Sequence, residues 1–163
     1  ARSKTMIQSR APKDYVCPIC TGIKSGKSED TLIRDTDFVY EDDLVTAFIN
    51  SFFMGKNAGH VVVLPKEHYE SIYTIPEECG HRIFDVSQKI AVAMKEEYGC
   101  DGITLRQNNE PAGDQHAFHY HLHVFPRYDN DGFNKVQPEQ KRLAEPDERK
   151  EYADRIKAAL KNS

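Results

Sequence analysis

Short segments rich in β-branched and aromatic residues recur along the chain, and turn residues separate them. FVYED and LVTAFIN, with a turn at Asp42 and Asp43 between them, predict two antiparallel strands. GHVVVLPKEH predicts another strand, closed by Pro65, because proline cannot donate a hydrogen bond to a sheet. GITLRQNN predicts a strand that runs into a polar loop, and FHYHLHVF predicts the next strand, stopped by Pro126.

A different periodicity marks the segment between these strands. Apolar residues recur there at helical spacing, at Ile83, Val86, Ile90 and Met94. Thr74 and Glu77 have capping-box spacing, and Gly99 is typical of the position just past a helix end. The pattern predicts one long helix from about residue 74 to residue 99.

The two ends of the chain differ in pattern. Beyond Pro146, apolar residues at four-residue steps (Tyr152, Ile156 and Leu160) predict a C-terminal amphipathic helix. TGIKSGKSED, near the N-terminus, is rich in Gly, Ser and charge and predicts a surface loop. Because strands and helices come in separate groups, the fold class is predicted to be α+β with an antiparallel sheet.

The composition fits a single folded domain. The 163 residues are 39% hydrophobic and 29% charged, enough to bury a core without disulfides. Residues 1–14 are polar, without apolar periodicity, and are predicted to form a flexible arm. No apolar run is long enough for a membrane span or a signal peptide, so a cytoplasmic protein without membrane partners is expected. A net charge of -4 argues against duplex nucleic acid as a partner; any bound nucleotide should be small.

Histidine is unusually placed in FHYHLHVF, which holds three of the seven histidines of the chain. On a strand, alternate side chains share a face, so His119, His121 and His123 would lie together, opposite Tyr120, Leu122 and Val124. Same-face neighbours on a strand are about 6.5 to 7 Å apart. Such a row can hold a metal ion or line a series of phosphate oxygens, and the spacing alone permits both.

Cysteine forms one pair, Cys17 and Cys20, in the segment CPIC. The pair supplies half of a tetrahedral zinc site, and no second C-x-x-C motif completes it. A redox dithiol or a simple turn are the alternatives, whereas structural disulfides are rare in the cytosol. Cys79 and Cys100 stand alone and are expected to be buried thiols.

Three separated blocks together resemble one known family. GHVVVLPKEH, RQNNEPAGDQ and HYHLHVFPRY, in this order, are similar to the histidine triad (HIT) nucleotide hydrolases and transferases. The likeness spans residues 15–135, leaving residues 136–163 as a C-terminal extension, and is nearest the phosphoramidase-like and dinucleoside polyphosphate hydrolase-like branch. It implies a five-stranded antiparallel sheet with a long helix, and a homodimer in which two sheets become continuous.

The resemblance also implies roles for particular residues. His121 would be the nucleophile on the α-phosphate of a nucleotide substrate, and histidine rather than glutamine at position 123 points to hydrolysis. The other phosphate-facing residues implied are His123, His60, Asn108 and Gln115. A structural Zn ion would be held by Cys17, Cys20, His68 and His119.

At three positions the chain departs from the family pattern. Asn50 stands where an aspartate often binds both ribose hydroxyls, which weakens the expected contact with the nucleoside. Asp114 replaces a common glycine, and its carboxylate would repel phosphate unless it points away. His116 stands where a small hydroxyl residue usually touches phosphate, and it could donate a hydrogen bond instead. Asn50 and His116 are accordingly predicted to bind nucleotide.

Three functions fit the sequence. The first is a hydrolase that cleaves a phosphoramidate or polyphosphate bond at a nucleoside α-phosphate through a covalent nucleotidyl-histidine on His121. The second is a nucleotide-binding or scaffold module with weak turnover. The third is a metal-dependent hydrolase that uses His119, His121 and His123 as ligands.

Overall fold

The computed structural model describes residues 7–25, 29–135 and 138–162. Strands and helices are segregated, as expected for an α+β fold. The strands are β1 (Phe38–Glu41), β2 (Val45–Ile49), β3 (Phe52–Met54), β4 (Val61–Pro65), β5 (Gly102–Gln107), β6 (Leu122–Arg127) and β7 (Lys141–Leu143). The helices are α1 (Pro18–Ser25), α2 (Glu77–Tyr98) and α3 (Pro146–Lys161).

Five strands form the main sheet in the order β1-β2-β4-β6-β5, and every pair is antiparallel. The predicted α+β fold with a five-stranded antiparallel sheet, a long helix and a C-terminal helix is confirmed. Strand β6 is an inner strand, between β4 and β5, whereas β5 is an outer strand. The homodimer implied by the family resemblance stays a prediction.

The two faces of the sheet bury different apolar sets. On one face, Val61 and Val63 of β4 and Val124 of β6 belong to a core that includes residues of α2 and α3. On the other face, Val62 and Leu64 pack with Ile19 of α1 in a smaller cluster. Because His123 is the register partner of Val62, this histidine of β6 lies on the face of the smaller cluster.

Helix α2 ends as predicted but begins differently. Gly99 follows the last residue with a φ of 62°, a left-handed conformation that glycine adopts without strain. The predicted capping box of Thr74 and Glu77 is wrong: Pro76 is the N-cap residue, without a side-chain cap. The Thr74 hydroxyl instead donates to the carbonyl of Ser71, 3.3 Å away. A local turn before the helix therefore occupies the side chain that was expected to cap it.

Helix α3 is anchored by a buried ion pair. The Arg149 Nε lies 2.9 Å from an Asp37 carboxylate oxygen, and both side chains are almost fully buried. The same guanidinium donates to the carbonyls of Ala144 and Leu32, so each of its three nitrogens makes a hydrogen bond. Tyr152, one turn further along α3, fills the space beside Gly59, where any β-carbon would lie 2.4 Å from the ring. The C-terminal segment thus supports the start of β4.

The segment after the cysteine pair is only in part the predicted surface loop. Residues 21–25 belong to α1, residues 26–28 lie outside the described residues, and Glu29 and Asp30 lie in an exposed turn. Ile19 is buried against the sheet, at 7% exposure, and this packing offsets the poor helix propensity of Gly and Thr in so short a helix.

Strand β6 is also shifted from its predicted bounds. It begins at Leu122 rather than Phe118 and continues through Pro126 to Arg127. Pro126 is tolerated because β4 pairs with β6 only as far as Val124, so no ladder partner on that side needs its missing N–H. The carbonyl of Pro126 accepts a hydrogen bond from the Asn57 amide at 2.7 Å.

Two segments near the sheet were not anticipated in this form. β3 and β7 form a separate two-stranded ribbon, with Met54 opposite Lys141.

At the N-terminus, residues 1–6 of the predicted arm lie outside the described residues. Within residues 7–14, the backbone N–H of Arg10 donates to a Glu70 carboxylate oxygen at 2.6 Å. The proposed domain boundaries at residues 14 and 135 stay predictions.

Candidate functional site

A cluster of four side chains has the geometry of a tetrahedral metal site. One donor atom from each of Cys17, Cys20, His68 and His119 lies within 4.8 Å of all the others. Cys20 Sγ is 3.3 Å from His68 Nδ1 and 3.5 Å from His119 Nδ1, and Cys17 Sγ is 3.6 Å from His119 Nδ1. Bond lengths to zinc of about 2.0 to 2.3 Å give tetrahedral edges of about 3.3 to 3.8 Å. The donor set fits zinc.

The local backbone and its hydrogen bonds orient these four ligand atoms toward one point. Cys17 immediately precedes α1, and its sulfur accepts the backbone N–H of Cys20 at 3.4 Å. The His119 Nε2 donates to the carbonyl of Pro65 at 2.8 Å, which leaves Nδ1 to face the sulfurs. Burial lowers the pKa of His119 to about 4, so the ring is neutral near pH 7 and its Nδ1 lone pair can bind a metal.

A second group of histidines lines an open cavity. The rings of His121 and His123 are 4.9 Å apart, and those of His60 and His123 are 5.4 Å apart. The cavity has a volume of about 470 Å³. Its wall consists mainly of polar side chains, with a few apolar ones: Asn50, Phe52, Met54, His60, Arg106, Asn108, Asp114, His116, Ala117, His121, His123 and Lys141.

The tautomer of His121 follows from one hydrogen bond. Its Nδ1 lies 2.7 Å from the backbone carbonyl of His119, and because a carbonyl only accepts, Nδ1 must be the donor. The other ring nitrogen, Nε2, therefore holds a lone pair. Burial lowers the pKa of His121, which keeps this nitrogen unprotonated near pH 7. An uncharged, oriented imidazole of this kind is a competent nucleophile.

The neighbouring histidines are short of hydrogen-bond partners. Both ring nitrogens of His60 and the Nδ1 of His123 are buried without a partner among the described residues. Burial lowers the pKa of His60 to about 3 and that of His123 well below its usual range. Buried polar atoms are normally hydrogen-bonded, so unpartnered nitrogens on a cavity wall are typical of a site whose ligand completes the bonding.

An apolar cavity of about 410 Å³ adjoins the polar one. It is lined by Ile19, Leu32, Ile33, Phe48 and Val62, among others. The two cavities share four residues, Asn50, Phe52, Ala117 and His121, so His121 stands at their junction. An apolar recess beside a polar, histidine-lined one matches the two ends of a nucleotide, a flat base and a charged phosphate.

Most of the other predicted nucleotide-binding residues line the polar cavity. Asn50, Asn108 and His116 all line the polar cavity. The Asn50 Oδ1 accepts the backbone N–H of Phe52 at 3.0 Å, and the Asn108 Nδ2 donates to the carbonyl of Asp114 at 3.1 Å. Each amide therefore uses one polar atom within the protein. The Asp114 side chain is exposed at this wall.

Gln115 lies in a setting different from the predicted one. It is 3% exposed and is not among the residues that line the polar cavity. Its Nε2 donates to the carbonyls of Glu70 and Ala117, and its Oε1 accepts the backbone N–H of Glu110. With its amide atoms bonded in this way, Gln115 fixes the loop before the histidine segment rather than facing phosphate.

The three triad histidines do not converge on one ion. Within the described ranges, the only metal-like cluster includes His119 but neither His121 nor His123. The hypothesis of a hydrolase with all three as ligands is therefore not supported by the geometry.

Two residues of the cavity escaped the sequence interpretation, Arg106 and Lys141. Arg106 lies on β5 directly opposite His123, so the pairing of GITLRQNN with the histidine strand could have revealed it. Lys141 had no such signal, because its position depends on the pairing of β7 with β3.

Comparison with known proteins assigns the chain to a family. The HIT domain matches residues 33–130, more than half of the chain. The chain belongs to the HIT domain family. It is 43% identical over 100 residues to Protein hit of Bacillus subtilis, which covers 60% of this chain and 67% of that protein. The family resemblance drawn from the three sequence blocks is thereby confirmed.

Two further relatives bear on the chemistry of HIT proteins. A zinc-bound histidine triad family protein from Mycobacterium smegmatis superposes with a TM-score of 0.69 and 28% identity, covering 90% of this chain and 94% of that one. The adenosine 5'-monophosphoramidase HNT1 of Saccharomyces cerevisiae is 29% identical over 125 residues, covering 77% of this chain and 71% of that protein. This chain thus has relatives that hydrolyse nucleotides. None of the described helices is long and apolar enough to span a membrane.

Proposed function

We propose that this HIT protein is a nucleotide hydrolase that cleaves a phosphoramidate or polyphosphate bond at a nucleoside α-phosphate, through a covalent nucleotidyl-histidine on His121. The observation that supports it most is the position of His121. Its Nδ1 is bonded to the carbonyl of His119, so Nε2 has a lone pair where the apolar and polar cavities meet. A nucleotide with its base in the apolar cavity would bring its α-phosphate to this nitrogen.

The reaction would proceed in two displacements. In the first, a bond forms between His121 Nε2 and the α-phosphorus while the bond to the leaving group breaks, and the leaving group takes the electron pair. An amine leaving group also takes up a proton from solvent. In the second, water attacks the phosphorus, the nitrogen–phosphorus bond breaks, and the water proton is released to solvent. The neutral imidazole is regenerated without a net change in the enzyme.

The other catalytic roles follow from placement on the same wall. His60 and His123 would donate hydrogen bonds to phosphate oxygens as negative charge develops, once a bound phosphate stabilises their protonated nitrogens. Their unpartnered nitrogens would gain partners in the complex. Asn108 and His116 would contact the phosphates from the loop, and Asn50 would meet the ribose, because it lies where the two cavities join.

Zinc would have a structural role in this protein. Cys17, Cys20, His68 and His119 would complete a four-coordinate shell, which leaves no open position for a substrate. When bound, the ion would fasten α1 to the segment before β6 that contains His119 and His121. Ile19 of α1 lines the apolar cavity, so zinc would also stabilise the proposed base site.

The protein is further proposed to act as a cytoplasmic homodimer. The outer position of β5 in the sheet leaves one edge to which a second copy could add its own β5. Leu105 of this strand is 45% exposed, so it is available for packing against a second copy placed at this edge.

A binding module with weak turnover is the second candidate. Asn50 lacks the charge of a carboxylate, and Asp114 adds a carboxylate to the wall that would face phosphate. These two features would weaken contacts with the ribose and the phosphates, and they therefore leave room for a binding module with weak turnover.

The proposed function can be tested by trapping the intermediate. The zinc-loaded protein would be mixed with adenosine 5'-phosphoramidate, quenched at neutral or alkaline pH, and measured by intact mass and by AMP release. We expect one adenylyl adduct, mapped to the peptide with His121, and AMP in molar excess over enzyme. Binding of AMP without an adduct or turnover would favour the binding module, and an adduct at another residue would contradict the assignment of His121.

A further inference from the structure

Two basic side chains stand at the polar cavity beyond the three histidines. Arg106 comes from β5, where it is opposite His123, and Lys141 comes from β7, where it is opposite Met54. Both line the cavity that contains His60, His121 and His123, and neither lines the apolar cavity. The positive charge is therefore located away from the expected base site, on the side where phosphates beyond the α-phosphate would extend.

Aromatic rings, rather than carboxylates, hold these cations. The Arg106 guanidinium lies 4.9 Å from the ring centre of Phe125 and 5.5 Å from that of Phe133. The Lys141 ammonium lies 5.2 Å from the ring centre of Phe52. Within the part of the chain that the structure describes, neither forms an ion pair. A ring face orients a cation without neutralising it, so charge and N–H donors stay available to an anion.

Lys141 comes from outside the family domain. The HIT domain match ends at residue 130, and β7 follows it in the C-terminal segment. The β3–β7 ribbon, defined by 52–54 and 141–143, places Phe52, Met54 and Lys141 on the cavity wall. An element specific to the extension therefore adds a charge to the site.

The histidines alone would not balance a polyanion. Burial lowers the pKa values of His60 and His123, which favours neutral rings at these two positions of the cavity wall. The fixed positive charges of the cavity wall are then those of Arg106 and Lys141, against one exposed carboxylate, Asp114. Two fixed cations suit a ligand with several phosphates better than one with a single phosphate.

We infer that Arg106 and Lys141 bind the phosphates of the leaving group, so that this site acts preferentially on nucleotides whose leaving group is itself a polyphosphate, such as dinucleoside polyphosphates. This inference rests on the proposed function of His121. When the bond from the α-phosphorus to the bridging oxygen breaks, the electron pair stays on that oxygen and adds one negative charge to the leaving polyphosphate. The two cations would stabilise this charge, whereas ammonia from a phosphoramidate leaves neutral and gains nothing from them.

The experiment compares two substrates that give the same adenylyl-His121. The full-length, zinc-loaded chain is assayed for kcat/KM on diadenosine tetraphosphate and on adenosine 5'-phosphoramidate. The variants are Arg106→Gln and Lys141→Gln, with Lys141→Arg as the conservative change. Lys89→Gln, which alters an exposed lysine of α2, is the matched control. Zinc content and circular dichroism report whether each variant is folded.

Each glutamine variant should lower kcat/KM for the tetraphosphate about 10- to 100-fold, the effect of losing one charge-assisted hydrogen bond. The ratio of tetraphosphate to phosphoramidate activity should fall at least about tenfold. Lys141→Arg should restore most of that ratio, and Lys89→Gln should not change it. Equal losses on both substrates, or no loss on the tetraphosphate, would overturn the inference and leave the proposed function standing.

Failure of the proposed function gives a different result. If the unmodified protein forms no adduct and hydrolyses neither substrate, the role of His121 is wrong, and calorimetric binding then decides the role of the cations. Weaker tetraphosphate binding by Arg106→Gln, at least about tenfold beyond any change in AMP binding, would support a polyphosphate subsite. Parallel changes for both nucleotides would overturn it.

Discussion

The cysteine–histidine cluster and the polar cavity use histidines that are two residues apart, yet they are built in opposite ways. In the cluster, His119 points its Nδ1 at two sulfurs, and four donors face one another within 4.8 Å. In the cavity, the nitrogens of His60 and the Nδ1 of His123 have no partner among the described residues. In the cluster, the four ligand atoms face one another. In the cavity, the ring nitrogens lie on a wall where a ligand could supply their hydrogen-bond partners.

Backbone carbonyls account for much of the difference. The Pro65 carbonyl accepts a hydrogen bond from His119 Nε2–H and leaves Nδ1 for a metal, whereas the His119 carbonyl accepts one from His121 Nδ1–H and leaves Nε2 for a phosphorus atom. The same side chain thus becomes a ligand or a nucleophile according to which of its nitrogens the main chain occupies.

The largest expected effect is the loss of the nucleophile. His121→Ala should lower kcat for adenosine 5'-phosphoramidate by ~10⁴-fold, because no other group would form the nucleotidyl intermediate. Zinc content and nucleotide affinity should change little, since this ring is not a member of the metal cluster. Single-turnover kinetics and metal analysis measure both. If His121→Ala kept more than a few per cent of the wild-type turnover, His121 would not be the nucleophile, and the proposed division into a metal cluster and a catalytic cavity would be wrong.

The next effect concerns the metal. Cys17→Ser should abolish stoichiometric zinc and lower the free energy of unfolding by more than about 3 kcal/mol, because binding to a structural zinc site contributes directly to folding. Urea denaturation with metal analysis tests this. Cys79→Ser, at a buried thiol outside the cluster, is the matched control and should retain zinc. Stable, active protein without zinc would show that the cluster is not structural.

A smaller effect concerns acid stability. His60 faces Arg106, Lys141 and His121, and burial lowers its pKa from 6.5 to about 3. Below pH 6.5 the unfolded chain protonates this histidine while the folded chain does not, so stability falls as the pH is lowered toward 3. The contribution reaches at most about 1.4 kcal/mol per pH unit.

Denaturation between pH 6.5 and 5 measures this slope. His60→Leu should reduce it by close to one proton per molecule, whereas His81→Gln, at an exposed histidine of α2, should keep the wild-type slope. An unchanged slope in His60→Leu would mean that His60 is protonated in the folded protein, and the cavity would then be a charged site.

The smallest effect concerns the ribose. Asn50→Asp should tighten AMP binding by about 3- to 10-fold, because one carboxylate oxygen can keep the bond to the Phe52 N–H while the other accepts from a ribose hydroxyl. Calorimetry with AMP measures the change, and 2',3'-dideoxy-AMP should show no gain. A similar gain for both nucleotides would place Asn50 away from the ribose.

Local patterns were enough to predict much of the fold. The spacing of Ile83, Val86, Ile90 and Met94 predicted α2, and all four are buried on its inner face. The alternation in HYHLHV separated the histidines from Tyr120, Leu122 and Val124, which belong to or pack against the core on the other face. These predictions held because periodicity reflects which side of an element is buried, and burial dominates local stability.

Predictions that depended on one residue type were less secure. Pro126 did not end β6, because the strand on one side of it had already stopped pairing. The Gly, Ser and charged residues that follow Cys20 did not prevent α1 from forming, because Ile19 of this helix packs on the sheet. In both cases a tertiary neighbour, invisible to local propensity, decided the outcome.

The sequence by itself determined the α+β class, the alternating histidine segment and the Cys17–Cys20 half of a metal site, because these depend on residue type and short-range spacing, whereas His68 and His119 were implied only by the family resemblance. The tertiary structure alone decided which histidine nitrogen is free, that Gln115 is enclosed within its loop, and that Arg106 of β5 and Lys141 of β7 line the same cavity. The physical reason is that hydrogen-bond partners and cavity walls come from segments far apart in the chain, and only the packed sheet and ribbon bring them together.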